Sequence, residues 1–322
     1  MKIIKLTHPY DPDRIPKERV VMTLGFFDGV HLGHQRVIRR AREEADRRGL
    51  PLALLTFNQH PKIVYENIRL NDYKYLSTNQ RKSELAEDLG VDILYFVEYT
   101  FAFGSQAPEE FVDNYLVGLH TEVAVAGFDY TYGKKEIANM QTLPIHAAGR
   151  FDVIEVEELS HNNHKIATTN IKQLLEKGQV DQANLELGYI YEVYGTVIHG
   201  EKVGRTLGFP TANIQIPHPQ LVPGIGVYAV EIKVRGRWYK GSASIGHNVT
   251  FYDDADLTVE VYILDFKDMI YGEKVRVKWH HYLRGEQKFE SVDGLIEQLN
   301  QDEANSRQYF EKNGENHVKG NH

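Results

Sequence analysis

Apolar residues follow two different rhythms along the chain. In the first half they gather in short β-rich runs: VVMTLGFF at 20–27, LALLTF at 52–57, ILYFVEY at 93–99 and EVAVAGF at 122–128. Between these runs the spacing predicts helices over about 34–48, 78–89 and 108–119. Pro108 suits the opening turn of the last one, where its missing N–H has no helical partner to lose. Continuous apolar strands alternating with helices predict a doubly wound parallel sheet, which binds ligands at the carboxyl ends of its strands.

After a helical stretch near 169–177 and a polar connector at Gly188, the rhythm becomes one of alternation. GVYAVEIKV at 226–234 and RWYKGSASI at 237–245 flank a tight turn at Arg235 and Gly236, and LTVEVYILDF and KVRVKWHHYL follow. This predicts a small antiparallel β-barrel. Val292, Leu295, Ile296 and Leu299 recur at one-face helical spacing and predict a terminal helix packed on it. Within LTVEVYILDF the period of two puts Val259, Val261 and Ile263 on one face and Glu260 on the other. The expected domains are 1–185 and 186–322, in keeping with a length of 322 residues.

Composition narrows the chemistry. There is no cysteine, which removes disulfides, thiolate metal sites and cysteine nucleophiles together. A formal net charge of −8 argues against a nucleic-acid coating protein. The arginines between Arg36 and Arg48 alternate with Glu43, Glu44 and Asp46 and read as a solvated helix face. The N-terminal MKIIKLTHPYDPDR has too short an apolar run for a signal peptide, and no long uncharged apolar stretch occurs. No membrane partner and a cytoplasmic location are therefore expected, with self-association left open.

Two segments carry chemistry. In TLGFFDGVHLGHQ a buried strand ends at Gly25, a loop carries Phe26, Asp28, Gly29, His31, Gly33 and His34, and a helix begins. Glycines let backbone approach phosphate oxygens, a helix N-terminus offers unpaired N–H groups, and two imidazoles donate to one anion, so the loop suits a nucleotide triphosphate. In GTVIHGEKVGRTLGFPTANI, at 195–214, glycines interleave with Lys202 and Arg205 around Gly204, a flexible cationic loop able to wrap phosphates. Thr211 and Asn213 follow, short oxygen-bearing side chains fit for a hydrated Mg²⁺. Taken alone, this second segment also reads as an elaborate barrel turn.

With GFFDGVHLGHQ, TFNQHP at 56–61, FAFGSQAPEEFV at 101–112 and GFDYTYGKK at 127–135 in this order, the chain resembles histidine-signature nucleotidyltransferases and, more closely, the bacterial bifunctional riboflavin kinase/FAD synthetases. PGIGVYAV, the GHNVTF segment at 246–251, VEVYILDF and YLRGEQKF extend the match over nearly the whole chain. The resemblance implies phosphorylation of riboflavin to FMN by ATP in the barrel and adenylylation of FMN to FAD in the α/β half, with Mg²⁺ assisting both. It implies that His31 and His34 hold ATP phosphates on a loop shaped by Gly25 and Asp28, and that Asn58, His60 and Asp129 border nucleotide and flavin. It further makes Glu260 the general base and places the flavin ring near Arg284 and Phe289.

The family usually carries a Ser-Ser-Thr-x-Ile-Arg type segment over the triphosphate. This chain has KIATTNIKQLL at 165–175, so Thr168, Thr169 and Lys172 are the phosphate-binding candidates, while Asn170, Lys172 and Thr131 replace more usual serine and arginine residues. Lysine keeps a charge without the bidentate fork of arginine, so adenylyl transfer is expected to be the slower activity. The alternatives are a kinase whose first half binds nucleotide or flavin without turnover, and a non-enzymatic flavin-binding protein; intact Thr211, Asn213 and Glu260 argue against the last.

Overall fold

The structure is a computed structural model that describes residues 1–66, 68, 72–161, 164–200, 207–247, 257–289 and 291–314. Its contacts divide the chain into two compact units, Met1–Thr168 and Thr169–His322.

The first unit contains β1 (Lys2–Leu6), β2 (Val20–Leu24), α1 (Leu32–Arg48), β3 (Leu52–Phe57), α2 (Lys62–Tyr65), α3 (Asn79–Asp88), β4 (Ile93–Val97), α4 (Phe101–Gly104), α5 (Pro108–Phe111), β5 (Thr121–Gly127), α6 (Leu143–Ala147) and β6 (Asp152–Val156). A small hairpin, β7 (Ser160–His161) and β8 (His164–Lys165), follows. Strands β1 to β6 form one sheet in the order β1-β4-β3-β2-β5-β6, every neighbouring pair parallel. Strands β2, β3 and β4 are buried at every position, as a sheet covered on both faces requires. The chain runs from β2 outward through β3 and β4, then returns to place β5 on the other side of β2. The topological switch point therefore lies between the ends of β2 and β5, where open α/β sheets bind ligands.

Helix α1 buries Val37, Ile38, Ala41 and Ala45 on one face and ends at Gly49, whose φ of 67° favours glycine. The arginines opposite are paired locally: Arg47 and Arg48 with Glu44 at 2.5 and 2.7 Å, Arg42 with Asp46 at 2.8 Å, and Arg48 with Asp152 at 2.5 Å. The helix predicted over 108–119 begins at Pro108 as expected but widens into a π-helical stretch at Val112–Val117.

The second unit opens with α7 (Thr168–Glu176) and α8 (Val180–Leu187), followed by β9 (Tyr191–Ile198), β10 (Thr211–Gln215), β11 (Gly226–Val234), β12 (Arg237–His247), β13 (Leu257–Ile263), β14 (Lys274–Arg284) and α9 (Val292–Gly314). The six strands close into an antiparallel barrel in the order β10-β13-β12-β11-β14-β9. Arg235 and Gly236, with φ of 48° and 83°, make the predicted two-residue hairpin turn between β11 and β12. The interior holds Tyr228, Val230, Ile232, Ala243, Val261, Val277 and Trp279. Helix α8 docks through Asn184, whose amide donates to the Trp279 carbonyl at 2.9 Å and whose oxygen accepts from the Tyr191 amide at 2.7 Å. Helix α9 lies on β11, β12 and β14 as predicted, but its buried residues are Asp302, Ser306 and Phe310, while Leu295, Ile296 and Leu299 of the predicted apolar row are only half-buried and Val292 is exposed.

Candidate active sites

The histidine loop is built on strained backbone at the end of β2. Phe27 and Val30 have φ of 54° and 37°, beside Gly29 at 79°. The segment before α3 pins it: the buried carboxylate of Asp28 accepts from the amides of Leu76 and Ser77 at 2.9 and 3.1 Å, and the Gly29 amide donates to Ser77 Oγ at 2.9 Å. His31 caps α1, its Nδ1 accepting from the His34 amide at 3.3 Å, and the two imidazoles stack 3.7 Å apart. Space is tight at Gly33, where a Cβ would stand 3.1 Å from the His31 ring and displace it by a few tenths of an ångström.

Burial lowers His31 to about 4; burial also holds His34 well below the usual imidazole range, with neighbouring His31 and Lys82 acting in the same direction. Both rings are neutral near pH 7. Because His31 Nδ1 accepts a hydrogen bond, its proton is assigned to Nε2, which is then a donor for an anion. His34 Nδ1 is buried with no hydrogen-bond partner among the described residues.

Across the switch point, Asp129 follows β5 and pairs with Lys165 at 2.7 Å, and the Lys165 ammonium lies 4.6 Å over Phe128. Thr168 Oγ1 donates to the Asp28 carbonyl at 3.3 Å. Asn58 accepts from the Tyr99 amide at 2.9 Å, tying β3 to β4, and His60 sits edge-on to Phe26 with ring centroids 5.1 Å apart. Thr169, Asn170 and Lys172 lie on α7 in the second unit. Beside β3 and β4 opens a cavity of about 820 Å³ walled by Tyr65, Tyr99, Phe101, Phe111, Tyr130 and Tyr132. Sequence reasoning missed this aromatic lining; the one signal was Tyr130 and Tyr132 flanking Thr131 after the Gly-x-Asp.

In the barrel, Cα register places Asn213 opposite Glu260 and Thr211 opposite Tyr262 on β10 and β13, and Ser244 opposite Glu260 on β12. These side chains share the outer face, because Val259, Val261 and Ile263 fill the interior as predicted. Thr211 Oγ1 donates to Glu260 Oε2 at 2.8 Å. Two cavities meet here. One, of about 320 Å³, is lined by Val197, Gly200, Asn213, Ile263, Phe266 and Tyr271; the other, of about 340 Å³, by Phe209, Ser244, Glu260, Tyr262, Phe289 and Leu299. Thr211 lines both.

Gly200 fits this arrangement closely, since a Cβ there would overlap the Asn213 side-chain amide. Arg284 also borders the second cavity, but its guanidinium is held by both oxygens of Asp302 on α9, at 2.8 and 2.7 Å. Lys202, Gly204, Arg205 and residues 248–251 of the GHNVTF segment lie outside the described residues. Among the described residues no group of three or more His, Asp or Glu is placed to hold a metal ion, so a cation would rest on neutral oxygens such as those of Thr211 and Asn213.

A histidine loop at the switch point of a parallel sheet, followed in the chain by a barrel whose two cavities share Thr211 beside Glu260, fits a transferase with two nucleotide-using sites. Comparison with known proteins specifies it. Residues 14–170 match the family described as FAD synthetase and residues 187–310 the family described as riboflavin kinase. The chain is 50% identical over 312 residues to the bifunctional riboflavin kinase/FMN adenylyltransferase of Listeria monocytogenes, covering 97% of this chain and 99% of that one. It is 41% identical to the Bacillus subtilis protein of the same name, over 96% and 98% of the two chains. A crystal structure described as a macrolide-efflux protein from Streptococcus pneumoniae superposes with a TM-score of 0.88 at 33% identity, covering 95% of this chain and 99% of that one. Among the described residues no helix is long and apolar enough to cross a membrane. The chain belongs to the bifunctional riboflavin kinase/FMN adenylyltransferase family.

Proposed function

We propose that residues 186–322 carry the kinase reaction at Glu260 and that residues 1–185 carry adenylyl transfer at the histidine loop. The chain phosphorylates riboflavin to FMN with ATP and adenylylates FMN to FAD. The observation that carries the kinase assignment is Thr211, which lines both barrel cavities and donates to Glu260. ATP occupies the cavity beside Gly200 and Asn213, riboflavin the cavity beside Phe289, and their reacting ends meet at Thr211. Glu260 takes the proton of the terminal ribityl hydroxyl as that oxygen attacks the γ-phosphorus, and ADP departs. The Thr211 hydroxyl, which donates to Glu260, retains lone pairs for a cation, and Asn213 supplies a second neutral oxygen; this donor set fits Mg²⁺, which when bound neutralises phosphate charge.

In the first unit the FMN phosphate attacks the α-phosphorus of ATP and pyrophosphate leaves, with no protein nucleophile. His31 and His34, together with the α1 N-terminus, hold the β- and γ-phosphates as their charge grows. The aromatic cavity suits the flat isoalloxazine ring. Asn58, His60, Asp129 and Thr168 surround the phosphate end. A cytoplasmic location without a membrane partner belongs to the same reading, and the pairing of Arg42, Arg47 and Arg48 with carboxylates leaves those cations less available to a nucleic acid. Incubating the protein with riboflavin and MgATP and separating flavins over time tests the scheme. FMN should appear first and FAD from it, and FAD without transient FMN would overturn the order.

A further inference from the structure

The histidine loop has a cation beneath it that the reaction scheme does not use. Lys82, the fourth residue of α3, is 2% exposed although it lies in the polar run NQRKSE. Its Nζ donates to the Phe26 carbonyl at 2.8 Å, to Thr56 Oγ1 at 3.3 Å and to the Phe57 carbonyl at 3.4 Å, and lies 4.3 Å from the centre of the Phe26 ring. Thr56 Oγ1 donates to the same Phe26 carbonyl at 2.8 Å. Among the described residues no carboxylate pairs with it, so a full charge is buried against neutral oxygens. That arrangement is costly unless something nearby uses the charge.

We infer that Lys82 is a positioning residue for adenylyl transfer: its buried ammonium fixes the Phe26 carbonyl, hence the strained loop, and supplies positive charge from below the loop. This rests on the reading of the loop as the ATP site. The geometry is consistent on each count. Phe26 immediately precedes Phe27, where the left-handed backbone begins, and the ammonium joins the carboxyl ends of β2 and β3, which face the switch point. The charged and titratable groups that feel Lys82 are Asp28, on the loop, and His34, on α1. Asp28 favours the ammonium, burial opposes it more strongly, and Lys82 is lowered to about 8. A triphosphate bound above would favour the ammonium further.

The test measures FAD formation from FMN and MgATP between pH 6.5 and 9.5 in the full chain, with FMN formation from riboflavin as the internal reference. Wild-type adenylylation should fall with a midpoint at or above about pH 8 while the kinase reference does not share that limb. Lys82→Arg should stay active and lose the limb from this range. Lys82→Met should lose about ten- to a hundredfold in kcat/KM for MgATP, the effect of one preorganised donor, with the kinase rate intact. A Lys82→Arg profile that still bends with the wild type overturns the proposal, as does a Lys82→Met rate within twofold of wild type. Should Lys82→Met not fold, the wild-type and Lys82→Arg profiles decide alone. His31→Ala/His34→Ala separates the two levels: if it leaves adenylylation intact, the ATP-site reading itself fails, whereas histidine dependence without Lys82 dependence removes only the role of Lys82.

Discussion

Acid should weaken the first unit through its paired histidines. His31 is held to about 4 by burial, against 6.5 for an exposed imidazole. The folded state therefore binds fewer protons than the unfolded chain between those values. The stability is fully present above about pH 6.5 and drains away as pH falls toward 4. At pH 5 nearly every unfolded His31 is protonated and nearly every folded one is not, a difference of about 2 kcal/mol relative to neutral pH. His34, lowered in the same direction, adds to it. The perturbation is His31→Gln/His34→Gln, and the assay is urea unfolding of the full chain at pH 7 and pH 5, followed by far-ultraviolet ellipticity. Both tryptophans, Trp238 and Trp279, lie in the barrel, so their emission follows the second unit separately. Wild type should lose at least about 2 kcal/mol more than the variant between the two pH values. Equal losses would show that the rings are not buried neutral, and would refute the reasoning.

Further outcomes follow from individual contacts. Gly200→Ala should push the Asn213 amide aside and raise the Mg²⁺ and ATP requirements of FMN formation by about tenfold, read from initial rates at varied MgATP, with adenylylation of added FMN unchanged. Asp302→Asn should loosen Arg284 and raise the KM for riboflavin more than that for ATP, because Arg284, Phe289 and Leu299 wall only the second cavity. Asn170→Arg with Lys172→Arg should speed FAD formation by about a hundredfold at most, without altering FMN formation, if a preorganised guanidinium is what the α7 segment lacks.

Much of this was legible in the residues, and what escaped did so for physical reasons. Strands β2, β3 and β4 announced themselves because burial on both faces demands unbroken apolar runs. Strand β1, KIIKL, did not, since its edge position leaves Lys2, Ile3 and Lys5 outward. The outward face of Glu260 was readable from a period of two, but its contact with Thr211 depends on register between β10 and β13, which no local pattern encodes. The ion pair of Arg284 with Asp302, eighteen positions on, could not be read from spacing either. The aromatic cavity draws on residues from Tyr65 to Tyr132, and Lys82 sits among polar neighbours that face water. Both are properties of assembly.

The central claim is that two sites on two units act on flavin in turn, and one set of product analyses addresses it most directly. Wild type, Glu260→Gln and His31→Ala/His34→Ala are each given MgATP with either riboflavin or FMN, and the flavins are separated by chromatography. Glu260→Gln should lose FMN formation by about 10² to 10⁴, because an amide cannot accept the hydroxyl proton, and should still convert added FMN to FAD. The histidine variant should make FMN from riboflavin at the wild-type rate and no FAD from either flavin. Parallel loss of both products in either variant would contradict the account.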